Sequence, residues 1–186
     1  MKGVVRPSII VLSIILVVGL GFLAYRHIVP TVTYNHSIVH LFESLDEMEE
    51  KSDLIVEVSI VGKGRNVVRK GEAGFMDSYY TYTPSRVEKV YKGDIQPGDT
   101  IEVIEPVGYQ RLPTGLYFIG REGYVPIKQN SYLLFLSKNI DGNYPVEAQG
   151  KFVWPSSREL SAENLEITGL DDHYKMLLDA VVAKYE

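Results

Sequence analysis

Residues 86–105 read RVEKVYKGDIQPGDTIEVIE. Two runs of β-branched and alternating residues flank a stretch of turn chemistry, Lys92-Gly93-Asp94 and Pro97-Gly98-Asp99. Glycine and proline supply backbone angles that a continuing strand does not use, so the stretch divides two strands. In the second run Ile101 and Val103 alternate with polar positions, here assigned to Glu102 and Glu105, as a half-buried strand requires.

The same period extends outward. Upstream, residues 54–62 (LIVEVSIVG) alternate Val56, Val58 and Ile60 with Glu57 and Ser59. The first of the two central strands begins in YYTYTPSRVEKVYKG, where Pro84 predicts an edge position or a bulge, because proline gives no ladder N–H. Downstream, LYFIG, SYLLFLSK and GKFVW are short runs flanked by Gly, Pro or Asn. Strands at this spacing predict a small barrel or sandwich. Two helical stripes bracket them. Ile38, Leu41, Phe42, Leu45 and Met48 recur at helical spacing, with Ser37 or Asn35 as cap. Tyr174, Leu177, Leu178, Val181, Val182 and Tyr185 do the same after Asp171 and Asp172, whose charges favour a helix start.

Ahead of this domain, residues 7–25 (PSIIVLSIILVVGLGFLAY) carry no charge, and twelve of them are Ile, Leu, Val or Phe. At 1.5 Å per residue they span about 28 Å, close to a hydrocarbon core of ~30 Å. Insertion is favoured by a few kcal/mol. Pro7 suits a first helical turn, and Phe22 and Tyr25 stand where an interfacial aromatic belt falls. A core helix needs a polar face that this run lacks. A cleaved signal peptide has a shorter apolar region and small residues before the cut; the best cut, after Ala24, leaves bulky Phe22 at −3. The expectation is a retained anchor. Lys2 and Arg6 outweigh Arg26, so residues 1–6 are expected in the cytoplasm and the domain outside. Residues 26–36 (RHIVPTVTYNH) are expected as an extended linker and 37–186 as the extracytoplasmic domain. Gly19 and Gly21 form no small-xxx-small motif for helix association.

Composition removes several functions. The chain has no cysteine, which excludes thiol catalysis, disulfides, zinc–thiolate sites and a lipidated-cysteine anchor. Beyond residue 26 there are 24 Asp and Glu against 16 Lys and Arg, a balance of −8. An acidic domain is a poor partner for nucleic acid. His36 and His40 stand one helical turn apart, but two ligands do not make a metal site. GxSxG is absent, and nothing after Tyr25 gives the Ser-x-x-x-Pro setting of membrane-anchored signal peptidases. No cofactor and no enzymatic activity are expected; a hydrolase or peptidase with an unrecognised site is the alternative.

Two features could serve binding. Gly62–Gly74 holds four glycines and the cations Lys63, Arg65, Arg69 and Lys70. It reads as a mobile connection able to touch an anionic surface or wall polymer; it lacks the P-loop spacing. Tyr79, Tyr80 and Tyr82 put rings on both faces of one strand, as packing or as a groove for sugar or peptide.

The pattern Ser52-Asp53-Leu54-Ile55-Val56, Val87 to Asp94, Gly98 to Ile101 and Tyr132 to Leu136 resembles a set of extracytoplasmic proteins. These are membrane-anchored or lipoprotein-type proteins of Gram-positive bacteria, mostly uncharacterised. The resemblance covers about residues 52–154. It implies a five-stranded barrel of the oligonucleotide-binding (OB-like) or netrin-like type, which the N- and C-terminal helices read from helical spacing would flank. Netrin-like modules include tissue inhibitors of metalloproteinases, which use an N-terminal cysteine that this chain lacks, so protease inhibition does not carry over. The aromatic and basic strand surface of nucleic-acid binders is not evident either. The reading is therefore a membrane-tethered interaction module for a protein or envelope component, of unspecified ligand.

Overall fold

The alternating segments do form strands, and five of them close on themselves. A computed structural model of the chain describes residues 7–35, 41–70, 76–121, 124–128, 131–139, 142–154 and 171–186. The elements are α1 (Pro7–Ile28), β1 (Thr31–Asn35), α2 (Leu45–Lys51), β2 (Leu54–Ile60), β3 (Arg65–Lys70), β4 (Met76–Lys92), β5 (Thr100–Glu105), β6 (Val107–Leu112), β7 (Gly115–Arg121), β8 (Ser131–Leu136), β9 (Tyr144–Val153) and α3 (Asp171–Tyr185). The barrel runs β2–β8–β9–β5–β4 and returns from β4 to β2. All its pairings are antiparallel except β5–β9, which is parallel at Val103↔Tyr144 and Ile104↔Pro145. Register shifts opposite the Ile55–Val56 and Glu57–Val58 steps insert Tyr91 and Glu88 as extra residues in β4 and bend that strand as the sheet closes.

β4 is seventeen residues long and changes partner along its length within one sheet. Its later half pairs with β2, and its first half pairs with β3. Pro84 lies where the partner changes, between Ser85↔Ile60 and Tyr82↔Arg65. Its carbonyl still accepts the Val61 N–H at 3.1 Å. The missing donor of proline costs nothing at such a junction.

Two cores share the same strands. Leu54, Val56, Val58, Val87, Ile101, Val103, Tyr132, Leu134, Leu136 and Val146 fill the barrel. Ile55, Leu133, Phe135 and Phe152 point the other way, against Phe42, Leu45, Met48, Leu177, Leu178 and Val181. β2 and β8 are thus buried on both faces, which is why YLLFL is continuously apolar. Rings reinforce the outer layer: Phe152 stacks on Tyr174 at 5.4 Å, and Phe135 meets Tyr185 edge-on at 5.7 Å.

Several expectations change. The first stripe does not make one helix from residue 37. α2 begins at Leu45, where the Ser44 hydroxyl accepts the Glu47 N–H at 3.2 Å and a Glu47 carboxyl oxygen accepts the Glu43 N–H at 2.8 Å. Phe42 is held by its backbone instead: its N–H donates to Gln149 Oε1 at 2.7 Å, and His173 Nε2 lies 2.6 Å from its carbonyl oxygen. Residues 36–40, with Ile38, His36 and His40, lie outside the described residues. The expected linker 26–36 is not free chain. α1 continues to Ile28, past the expected end at Tyr25, and β1 pairs in parallel with β7. Together with β6 they form a second sheet, β1–β7–β6. The connection expected as mobile contains β3, paired to β4 from Arg65↔Tyr82 to Lys70↔Met76.

Glu105, expected on the polar side of its strand, shares parity with Ile101 and Val103 and is 2% exposed. Inside the barrel its carboxylate accepts from Thr83 Oγ1 at 2.5 Å, Tyr124 OH at 3.2 Å and Ile127 N at 2.6 Å. Lys151 is buried beside this group, with Nζ donating to the Val125 carbonyl and lying 4.2 Å from the Tyr124 ring centre. Burial pushes the Lys151 ammonium down to about 8, against the opposing pull of the Glu105 carboxylate. The segment 124–128 therefore seals one end of the barrel through polar groups that would be costly if unpaired.

α1 is long and apolar enough to cross a membrane, and none of the residues in its most apolar window, Ile10–Ile28, is buried by the rest of the chain, which among the described residues touches it at its C-terminal end around Arg26. A signal sequence has the same two properties.

Lys151 makes stability depend on pH. Its folded value of about 8 lies below the ordinary ~10.4, so between those values the unfolded chain binds more protons and stability rises with pH. The gain is up to about 3 kcal/mol. Tyr174 acts oppositely: burial raises its hydroxyl to about 12, so its contribution is present below pH ~10 and lost as pH climbs through 12. Denaturant midpoints in detergent are expected to rise from pH ~8 to ~9.5 in the native chain, and that rise is expected to be lost in Lys151→Met.

Candidate functional site

β3 and the first half of β4 extend from the barrel as a two-stranded ribbon, and the register of that ribbon sorts its side chains. Directly paired residues of antiparallel strands project to the same side. Arg65↔Tyr82, Val67↔Tyr80 and Arg69↔Ser78 therefore occupy one face, and Asn66↔Thr81 and Val68↔Tyr79 the other.

On the first face the Arg65 guanidinium lies 4.3 Å from the centre of the Tyr82 ring. Its Nη2 is 3.5 Å from Glu102 Oε2 on β5. Both partners of that ion pair are more than half exposed, so it contributes at most about 1 kcal/mol. The ring contact adds a similar amount. Their joint effect is to hold the long arginine flat along the ribbon. Tyr80, 42% exposed, lies next to this stack, and Arg69 lies beyond. Lys63 precedes β3 and Lys70 ends it, both exposed. The arrangement is a strip of cation, ring, ring and cation along one strand pair.

The opposite face is occupied by the protein itself. Asn66 spans to β6, donating from Nδ2 to the Tyr109 carbonyl at 2.7 Å and accepting the Tyr109 N–H on Oδ1 at 2.7 Å. Thr81 Oγ1 donates to the Val107 carbonyl at 3.0 Å. Gly108 comes so close that an added Cβ would lie 2.9 Å from Tyr79 Cβ. Of the three candidate tyrosines, Tyr80 and Tyr82 share the open face, and Tyr79 packs under β6. Of the four cations, Arg65 and Arg69 share that face, and Lys63 and Lys70 flank it.

A second concavity of about 590 Å³ opens between α2, α3 and the end of β4, lined by Glu49, Tyr91, Lys92, Lys184 and Tyr185. Its polar groups already bind one another. Glu49 accepts from Lys184 Nζ at 2.6 Å and Tyr185 OH at 2.7 Å, and Lys92 Nζ donates to the Glu49 carbonyl at 2.7 Å. Tyr185 OH is raised by burial and by the Glu49 carboxylate. This is a joint between helices and barrel. The barrel interior offers an acid, an amine and phenols, but Glu105 and Lys151 are closed from solvent. Among the described residues no three His, Asp or Glu side chains converge as metal ligands.

Asn66 and Glu102 escaped sequence reasoning, because a lone polar residue on a strand carries no signature of a cross-sheet clamp. Glu105 did leave one, its parity with Ile101 and Val103. No family model matches the chain, and no curated protein matches it.

Replacing Asn66 by Ala removes two backbone mimics that tie β3 to β6, a loss of about 1–2 kcal/mol for the ribbon. Amide exchange over residues 65–70 is expected to quicken several-fold while barrel strands β2 and β8 stay protected.

Proposed function

We propose that this chain is a membrane-tethered extracytoplasmic binding module, with α1 as a retained anchor and the β3–β4 ribbon as its ligand face. Support for the tether is an apolar helix none of whose residues in Ile10–Ile28 is buried by the rest of the chain. Support for the orientation is the pair Lys2 and Arg6 ahead of the helix against Arg26 behind it. The barrel agrees with an OB-type identity. Numbered in chain order, its strands pair first–second–third–fifth–fourth–first, with the third and fifth parallel. In OB-type barrels the face of the second and third strands and the loop after the first strand bind ligands. Those positions correspond here to β4, β5 and the insertion holding β3. The resemblance to anchored extracytoplasmic proteins of Gram-positive bacteria points the same way.

The observation that carries the binding reading is the Arg65–Tyr82 stack with Tyr80 open beside it. Two rings suit sugar faces, and Lys63, Arg65, Arg69 and Lys70 suit anionic groups. The ligand we propose is an anionic, sugar-bearing envelope polymer, and a folded protein partner is the other outcome of the test. Nucleic acid fits poorly with the acidic remainder of the domain. The proposal assigns the chain no catalytic role and no cofactor.

Two measurements test this. A reporter enzyme active only in the cytoplasm, fused to the C-terminus, is expected to be silent; activity refutes the orientation. Binding of the detergent-solubilised full chain to glycosylated poly(glycerol phosphate) is expected to weaken with salt. At roughly 0.5 kcal/mol per exposed contact, reversing Lys63, Arg65, Arg69 and Lys70 to Glu lowers affinity about 30-fold. Unchanged binding removes the ribbon as the site, and an absence of polymer binding with a partner protein captured through the same residues replaces the ligand class.

A further inference from the structure

The outer end of α1 is gripped by the second sheet. Gly115, buried at the start of β7, has φ +143°, and an added Cβ would lie 2.7 Å from the Arg26 carbonyl oxygen. Only glycine lets the hairpin backbone come this near the helix end. Arg26 Nη2 donates to Tyr117 OH at 3.2 Å, and that hydroxyl lies 3.0 Å from Thr114 Oγ1.

Direction follows from the pairing. β1 leaves α1 after Val29 and Pro30 and runs parallel to β7, from Thr31↔Tyr117 to Asn35↔Arg121. β7 therefore travels away from the helix between Gly115 and Arg121, and residues 113–114, which precede Gly115, lie on the helix side. Arg26 is the first charge beyond the apolar run. A turn level with Arg26 is level with the boundary between hydrocarbon and headgroups.

Charge gives an independent sign. Residues 106–121, which include β6 and β7, hold Arg111 and Arg121 and no acid. β1 and α1 hold none either. Every one of the 24 acids of this acidic chain lies outside this sheet and its helix. Phosphate headgroups repel carboxylates and attract guanidinium groups, and Arg111 is exposed.

We infer that the β1–β7–β6 sheet is a second membrane contact, with the 113–114 turn seated among phospholipid headgroups and Arg26 and Arg111 facing their phosphates. The inference rests on α1 being a retained anchor. It adds that the barrel is fixed against the bilayer by protein–lipid contact as well as by the helix.

The absence of cysteine makes the test direct. Thr114→Cys and, in the β4–β5 turn, Asp94→Cys each give a unique thiol for a fluorophore in the full chain. The labelled chains are reconstituted in phosphatidylglycerol vesicles carrying a headgroup nitroxide. Flotation of the chain with the vesicles reports the anchor separately. The label at 114 is expected to be quenched at least threefold more than the label at 94. Arg111→Glu is expected to reduce that quenching by half or more in phosphatidylglycerol, with a smaller change in phosphatidylcholine. A floating chain whose two labels are quenched equally overturns the contact and leaves the anchor standing. A chain that does not float overturns both.

Discussion

The double-sided burial of β2 and β8 is the constraint on which the structure depends. A strand normally presents one face to a core and the other to water. Here Leu54, Val56 and Val58 point into the barrel while Ile55 points out, and Leu134 and Leu136 point in while Leu133 and Phe135 point out. The inward set is satisfied by closing the sheet. The outward set needs an external cover, and α2, α3 and the extended segment at Phe42 provide it. The helices are therefore part of the folding unit, and the ties at Glu49, Gln149 and His173 fix where they sit.

The barrel interior departs from a purely apolar filling at one place. Glu105 and Lys151 are each an expensive residue to bury, and each is offset by several hydrogen bonds or a ring contact. Their partners come from separate stretches of chain: Thr83 from β4, and Tyr124, Val125 and Ile127 from the segment before β8. Two buried polar side chains whose partners lie on that segment fix which loop closes the barrel end, whereas an apolar plug accepts many arrangements.

Much of this was legible from period and turn chemistry. The strands at 54–60, 100–105 and 131–136 and the final helix fall where alternation and helical spacing put them. Pattern failed where a single residue made the decision. Ser44 and Glu47 cut the first stripe short by capping the helix late, although helical spacing continues upstream. Residues 31–35 looked like linker because a five-residue edge strand with one partner needs no strong alternation. The glycines around 62–74 concealed β3, whose charged ends suit an edge strand that must resist pairing with other chains. The candidate face was legible only as a list of residue types. Which tyrosines shared a side depended on the β3–β4 register, set by where β4 changes partner at Pro84.

Only Val29 and Pro30 separate the last turn of α1 from β1, and that strand is stitched along its length to β7. The domain thus has almost no leash. The barrel can swing about the end of α1 only as far as those two residues allow without breaking the β1–β7 ladder.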